Sequence, residues 1–546
     1  MTGPDPPAAR PDLSVLALSE ELRTGLDLLA DLVALAPTNL EDPAHGRWEK
    51  PNYPAAAELI TRVARAWGFE VRSFDPAGGP TADPELRGIP RPNLIIDFDA
   101  GAAERVLVLT HYDVVPVPAE QLSRWKSPPH ALTLRPDGRL YGRGSNDDLG
   151  SGVVASLLAL RRLKAEGHCP RNVRVLVCCD EETGGAGGVE KLKEHDDRLP
   201  ANDPGRSLLG EVALIPDGSP HVCAGSSGVM FLDAGFEHTV PYEAVVAYGL
   251  ALVRLDEMAR TWKSSLRSPD WPDHHAPEEH VTGRATVTRF DLTAPADGAI
   301  RPRLTHLHAE TDATNQIAQS VTFLFEGPGD QLLELRHWLL RQVPKPFRLA
   351  RTDLTALPLP PGALALSVVG RSYHAGYPHL ALNPVPAALR LLDDAIVSAK
   401  IEDEPLVDAS FGVDLRLPPE MSLEEGRRLG LAPIQAWIAH HPVGATIDVP
   451  SSRQRGGYSL PADHAAVVKL ERILGRFFGV HGVFGEYGGT DASSLIGVRT
   501  PRVEPIPALV FGSMDREAHI HEAEESIDPK LLAGVVDTIC AYIRDR

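Results

Sequence analysis

The sequence predicts an α/β protein in two parts: a sandwich on a mostly parallel mixed sheet, and an α+β domain inserted into it. Three observations carry that expectation. At 546 residues the chain exceeds what a single hydrophobic core usually organises. Its first part alternates short β-rich runs with helical stretches, the pattern of βαβ units and a parallel sheet. From about Ser226 the texture changes to apolar/polar alternation mixed with helices, and from Pro461 it returns to helix, strand and helix. The expected domains are therefore 1–225 and 451–546 for the interrupted first domain and 226–450 for the insert.

Taken in order, Ser19 can cap a helix through about Ala36. Its apolar residues Leu22, Leu26, Leu29 and Val33 recur at helical spacing, and Pro37 ends it. A second helix is expected from Pro54 to Trp67, stopped at Gly68. The runs FEVRSF, NLIIDF, RVLVLTHYD, NVRVLVCCDEE and EVALIPDGS read as strands, with a helix from Leu149 to Glu166 among them. In the insert, VMFLDAGFEH, RATVTRFDL, SVTFLFEG, ALALSVVG and ASFGVDLRL alternate, and helices are expected near 241–260, 330–343, 384–397 and 422–440. Two strand–helix sets, 228–345 and 363–447, form a weak internal repeat by pattern rather than by identity.

Composition narrows the function classes. A formal net charge of -20 argues against a nucleic-acid or anionic-membrane partner, which would need a basic footprint. An anionic substrate stays open, because bound metal ions can invert the field inside one cleft. The five cysteines (Cys169, Cys178, Cys179, Cys223 and Cys540) have no CxxC spacing and read as reduced, buried thiols. The polar, Pro-rich start shows no signal peptide, and no apolar run approaches the roughly 20 residues of a membrane span. The expectation is a cytoplasmic protein.

Four segments place metal-type ligands where a strand ends. LVLTHYDVVP empties into His111 and Asp113, and ligands gather beyond the carboxyl ends of strands in open α/β sheets. A lone His-x-Asp is more commonly a satisfied core histidine. LYGRGSNDDLGSG puts Asp147 and Asp148 in a Gly-rich turn before a helix, which could equally be a helix N-terminus with acidic first-turn residues. A phosphate loop is disfavoured, since GxxxxGK[ST] is absent and two acids repel phosphate. VLVCCDEETGGAGG delivers three acids directly after an apolar strand, a costly arrangement unless they are paired or metal-bound. ALIPDG delivers Asp217, which alone would be a turn.

Near the C-terminus AHIHEAEESI offers His519 and His521. Imidazoles and carboxylates in this mixture suit zinc or a similar divalent ion. A set of His, Asp, Glu, Asp and His is too many for one open catalytic zinc and too few for two separate ones. A shared carboxylate resolves the count, as in two-metal sites whose ions lie about 3.5–4 Å apart.

With these motifs in this order, the chain from about residue 20 to its end resembles the zinc aminoacylase and carboxypeptidase family. That family includes glutamate carboxypeptidase, succinyl-diaminopimelate desuccinylase, acetylornithine deacetylase and carnosinase-like dipeptidases. The resemblance implies a zinc-peptidase sandwich with a lid domain, and two Zn2+ per chain, with Mn2+ or Co2+ as substitutes. It implies His111 and Asp217 on one metal, Glu182 and His521 on the other, Asp147 bridging, Asp113 orienting His111, and Glu181 as general base. His521 fits the family's pattern of His, three residues, then Glu (here Glu525), whereas His519 would need an acid at Ala523. Leu149 departs from the Lys that many members carry. In the lid, GRSYHAGYPH resembles the loop whose histidine, here His374, polarises the scissile carbonyl, and VDLRLPP (Asp414, Arg416) resembles the strand that closes the lid. Asn315 in TNQIAQSVTF and YGGTDASS, with Gly488, Gly489 and Thr490, resemble substrate-contacting loops, although Ala318 stands where the motif usually has Pro. The histidines of 273–280, Thr305–His308 and His440–His441 read as solvated lid surface.

The function so implied is hydrolysis of a peptide or amide bond in a dipeptide or short peptide. An N-acyl amino acid deacylase or desuccinylase with the same site is the alternative. A non-catalytic binding protein on this scaffold is the rival from another class, and the intact Glu181 speaks against it. Partners are a small peptide or N-acyl amino acid, and the assembly is a monomer or homodimer. Because the insert is long enough for two strand–helix sets, one chain is expected to be catalytically complete.

Overall fold

The computed structural model describes residues 10–38, 52–77, 90–117, 122–183, 185, 187–200, 203–267, 280–294, 301–310, 317–351, 363–372, 375, 381–401, 406–450, 454–488, 490–502 and 504–545. The chain folds into two compact units, one of residues 1–226, 458–485 and 490–546, the other of 227–457 and 486–489.

The first unit opens with helix α1 (Glu20–Leu35). The Ser19 side chain accepts the Leu22 N–H at 3.2 Å, and Ala36 closes the helix in the left-handed conformation at φ 46° before Pro37. Leu22, Leu26, Leu29 and Val33 are all buried, as their spacing predicts. Helix α2 (Tyr53–Ala66) leads into strands β1 (Glu70–Phe74), β2 (Asn93–Phe98) and β3 (Arg105–His111). Helix α3 (Ala155–Ala165), β4 (Asn172–Cys178), α4 (Val189–Asp196), β5 (Val212–Ile215) and β6 (Val222–Ser226) follow. The helix expected from Leu149 has two parts: a π-helical stretch, Asp147–Val154, runs into α3.

The second unit contains β7 (Gly228–Phe236), α5 (Tyr242–Ala259), β8 (Arg284–Thr293), β9 (Arg303–Glu310), β10 (Ser320–Glu326) and α6 (Gly329–Gln342). It continues with β11 (Arg348–Arg351), β12 (Ala363–Val369), α7 (Val385–Val397), β13 (Leu406–Leu417), α8 (Leu423–His440) and β14 (Ala445–Asp448). These strands form one antiparallel sheet in the order β11-β12-β10-β9-β8-β13-β7-β14. The two halves of this sheet are nested, not sequential. β7, β8, β13 and β14, with α5 and α8, make one half, and β9–β12, with α6 and α7, are inserted between its β8 and β13. The split at 345/363 instead assigned β13, α8 and β14 to the second set. Long-range pairing of β13 with β8, from Arg284↔Arg416 to Thr293↔Asp408, returns them to the first. Phe290 and Phe411 stack across that pair with centroids 4.7 Å apart, inside a single apolar core.

Thr305–His308 lies on β9, where alternation buries Thr305 and Leu307 and exposes His306 and His308. His440 and His441 are exposed at the end of α8. Residues 273–279 lie outside the described residues, and His280 is exposed.

The chain returns to the first unit through α9 (Ala465–Phe478), β15 (Val483–Glu486), β16 (Ala508–Val510) and α10 (Pro529–Arg544). Asp528 caps α10 by accepting the Lys530 N–H at 2.8 Å, with Pro529 at the first helical position. The first unit's sheet runs β1-β2-β4-β3-β5-β16-β6-β15. Its centre, β4-β3-β5-β16, is parallel, and the β1/β2, β2/β4 and β16/β6 pairs are antiparallel. β3 and β4 are buried from their second residue onward, as expected for parallel strands covered on both faces. Because these central strands point the same way, their carboxyl ends open on one edge of the sheet. All five cysteines are free and buried. Among the described residues no helix is long and apolar enough to cross a membrane.

Candidate metal centre

β3 ends at His111, and the next turn places Asp113 beneath it. His111 Nδ1 lies 3.1 Å from the Asp113 carbonyl oxygen and 3.3 Å from Asp113 Oδ1. Asp113 is fully buried, and its two carboxylate oxygens accept the backbone N–H groups of Glu181 (3.2 Å) and Glu182 (3.1 Å). One carboxylate thus orients the imidazole and ties the end of β3 to the turn after β4. With Nδ1 engaged, Nε2 faces Asp148 Oδ1 at 3.8 Å and Asp217 Oδ2 at 3.9 Å. Donors about 2.0–2.2 Å from one zinc lie roughly 3.3–3.6 Å apart at tetrahedral angles, so a small contraction would suffice.

Asp147 and Asp148 start the π-helical stretch, which packs directly against β3. A Cβ on Gly152 would lie 2.3 Å from Thr110 Oγ1, so only glycine permits that approach. The turn after β4 is equally close: a Cβ on Gly188 would stand 2.1 Å from the Cys179 carbonyl oxygen. Within it Asp180, at φ 59°, forms a buried ion pair with Arg91. Burial lifts the Asp180 carboxyl to about 6 even though Arg91 opposes the shift.

Two donor groups result, each with one ligand atom per residue within 4.8 Å of the others. One is His111, Asp148 and Asp217; the other is Asp147, Asp148 and His521. His521 Nε2 also lies 2.8 Å from Glu182 Oε1. The shared member is Asp148, the neighbour of the residue that the resemblance gives as the bridge. Both aspartates contribute to the second group. Neither Glu181 nor Glu182 belongs to a group; Glu182 meets His521 directly, and the Glu181 carboxylate is close enough to raise the pKa of Asp217. The exposed His519 belongs to neither group.

The electrostatics fit a divalent cation. Burial, then Asp147 and Glu182, push the Asp148 carboxyl well above its ordinary range. Burial does the same to Asp217, with Asp147 and Glu181 adding to it. Burial would lower His521, but Glu182 and Asp147 outweigh it and raise the imidazole to about 9. Asp147 Oδ1 and Asp148 Oδ2 are buried without a hydrogen-bond partner among the described residues. Orphaned acceptors beside crowded acids are what a bound cation relieves.

The loop carrying His521 is tied to the loop carrying Asp147. Glu525 and Arg143 form a fully buried pair at 2.7 Å, and Arg143 Nη2 donates to the His521 carbonyl at 3.2 Å. The Asn146 N–H donates to Glu525 Oε1 at 3.3 Å, and its side-chain amide donates to the Ser526 carbonyl at 2.9 Å. Further out, the Arg135 guanidinium holds Glu524 at about 2, below its ordinary 4.5. A depressed carboxyl stabilises the fold above its unfolded value and loses that contribution as pH falls through its folded value. The difference in urea midpoint between the wild type and Arg135→Ala, measured with chelator present, is therefore expected to narrow as pH drops from about 4.5 toward 2. A constant difference across that range would contradict the assignment.

Asn315, His374 and Gly489 lie outside the described residues. Gly488 falls in the second unit. Thr490 falls in the first, where its buried hydroxyl accepts the Ala492 N–H at 3.1 Å and caps a short 3-10 turn. Asp414 and Arg416 form a buried two-pronged ion pair on β13 at 2.6 and 2.8 Å. Sequence reasoning missed Arg91 and Arg143 as supports; the one available signal was an arginine inside an apolar or Gly-rich run.

A family model described as peptidase family M20/M25/M40 matches residues 107–545. A cysteinylglycine-S-conjugate dipeptidase of Corynebacterium striatum is 38% identical over 165 residues, 30% of this chain and 31% of that protein. Human aminoacylase-1 is 32% identical over 150 residues, 26% of this chain and 32% of the relative. These alignments take in about a third of the relatives' own length. A solved Saccharomyces cerevisiae di-peptidase superposes with a TM-score of 0.54 over 96% of both chains at 14% identity, a likeness of fold.

Proposed function

Since the chain belongs to peptidase family M20/M25/M40, we propose that it hydrolyses the peptide bond of a dipeptide or short peptide with two zinc ions held at this centre. The observation that carries the reading is the pair of donor groups sharing one carboxylate at the open edge of the sheet. His111 and Asp217 would hold one ion, Glu182 and His521 the other, with the Asp147–Asp148 pair supplying the shared ligand. Bound zinc would supply Lewis acidity and lower the pKa of water from 15.7 to about 7.

The chain's own residues do the rest. Asp113 keeps the imidazole of His111 in the tautomer whose Nε2 faces the acids. Glu181 takes the proton as water attacks the carbonyl carbon and returns it to the leaving amine. The roles of His374 at the carbonyl oxygen and of Asn315, Gly488, Gly489 and Thr490 toward substrate are carried from the resemblance.

The same centre serves an N-acyl amino acid deacylase, so a hydrolysis screen decides the substrate class. Dipeptides are set against N-acetyl and N-succinyl amino acids, with Zn2+, Mn2+ and Co2+ supplied in turn. The expected result is a kcat/KM at least tenfold higher for the best dipeptide, a gap of about 1.4 kcal/mol. The reverse order would assign the deacylase activity instead, and no turnover with any metal would overturn the enzyme reading.

A further inference from the structure

The loop that presents His521 is strained: His519, His521 and Glu524 have φ of 50°, 62° and 73°, and none is glycine. Such conformations persist only where the surroundings over-determine them. Here the Glu522 N–H donates to the His519 carbonyl at 3.0 Å and the Ser526 N–H to the Ala518 carbonyl at 2.9 Å, and ion pairs add to these. Glu522 pairs with Arg124 at 3.1 Å, Glu525 with Arg143 at 2.7 Å, and between them Glu524 accepts the Lys126 N–H at 2.7 Å. Glu524 also takes both prongs of Arg135, with Nη2 2.9 Å from Oε1. Arg135 is itself held, since Nη2 donates to Ser127 Oγ at 2.7 Å and the guanidinium lies 3.7 Å from the centre of the Tyr141 ring. Both partners are only 16% exposed. A two-pronged, preorganised and shielded pair fixes geometry better than an open surface pair does.

Resting on the metal reading above, we infer that the Glu524–Arg135 pair is a positioning device for His521. It holds the 519–524 turn in the conformation that keeps Nε2 beside Glu182, and so it sets the affinity of the second metal position. Neither residue belongs to a donor group. The rest of the loop is anchored without them, by Arg139 on Asp515 at 2.7 Å and Asn146 on Ser513 at 2.9 Å. Loss of the pair therefore loosens the turn, which keeps its bond from Arg143 to the His521 carbonyl, and leaves the fold in place.

The test measures zinc affinity at both positions by chelator competition, beside the thermal midpoint of the metal-free protein. It compares wild type, Glu524→Gln, Arg135→Ala, Arg135→Lys, the double Glu524→Gln/Arg135→Ala and the charge-exchanged Glu524→Arg/Arg135→Glu. In Glu524→Gln and Arg135→Ala one of the two positions should lose roughly 10–100-fold in affinity while the other is unchanged, as for other partners behind a metal ligand. The double variant should be no worse than the poorer single. Arg135→Lys should lose less, and the exchanged pair should recover part of the loss. Unchanged affinity at both positions, equal loss at both, or a lower midpoint with affinity intact would overturn the inference. If the wild type binds no zinc, the metal reading falls instead, and this inference with it.

Discussion

Glu181→Gln is expected to lower turnover by 10²–10⁴ while leaving metal content and fold unchanged. The substitution keeps the shape and removes the basicity. The backbone N–H of Glu181 is fixed on Asp113 and its side-chain charge bears on Asp217. A group so placed can accept a proton beside the metals without holding them. The measurement is kcat together with metal content on the same preparation. Normal turnover would remove Glu181 from the role of base, and loss of a metal would move it into the ligand set.

The second large effect separates shared from unshared ligands. Asp217→Asn is expected to lose the metal on the His111 side, and Glu182→Gln the one on the His521 side. Substitution within the aspartate pair should cost both. The geometry favours Asp148 as the shared carboxylate, because it alone belongs to both donor groups. The resemblance favours Asp147. Metal content of Asp147→Asn and Asp148→Asn decides between them: one of the two should come out empty. If neither does, the metals are not bridged.

The convergence of these imidazole and carboxylate groups was legible because they sit at the ends of apolar runs. LVLTH, VLVC and VALI are the ends of strands that open on one edge of the sheet, so His111 and the acids that follow these strands had to converge there. Helix α1 was legible for a local reason too, since Ser19, the leucine spacing and Pro37 all act within one element. Features set by distant pairing were hidden. Arg143 meets Glu525 across 382 residues, and nothing near either residue announces the other. The nested halves of the second unit depend on β13 reaching back to β8, which no local period encodes. The π-helical stretch was hidden as well, because DDLGSGVV reads as an ordinary acidic helix start.

The central claim is that this chain holds two catalytic divalent ions, and metal titration of the stripped protein tests it most directly. Purified protein, cleared of metal with chelator, is titrated with Zn2+ while bound metal and hydrolysis are followed together. The stripped protein is expected to be inactive, to bind two ions per chain at saturation, and to regain activity as they bind. Full activity in the stripped protein, or saturation with no ion bound, would contradict that claim.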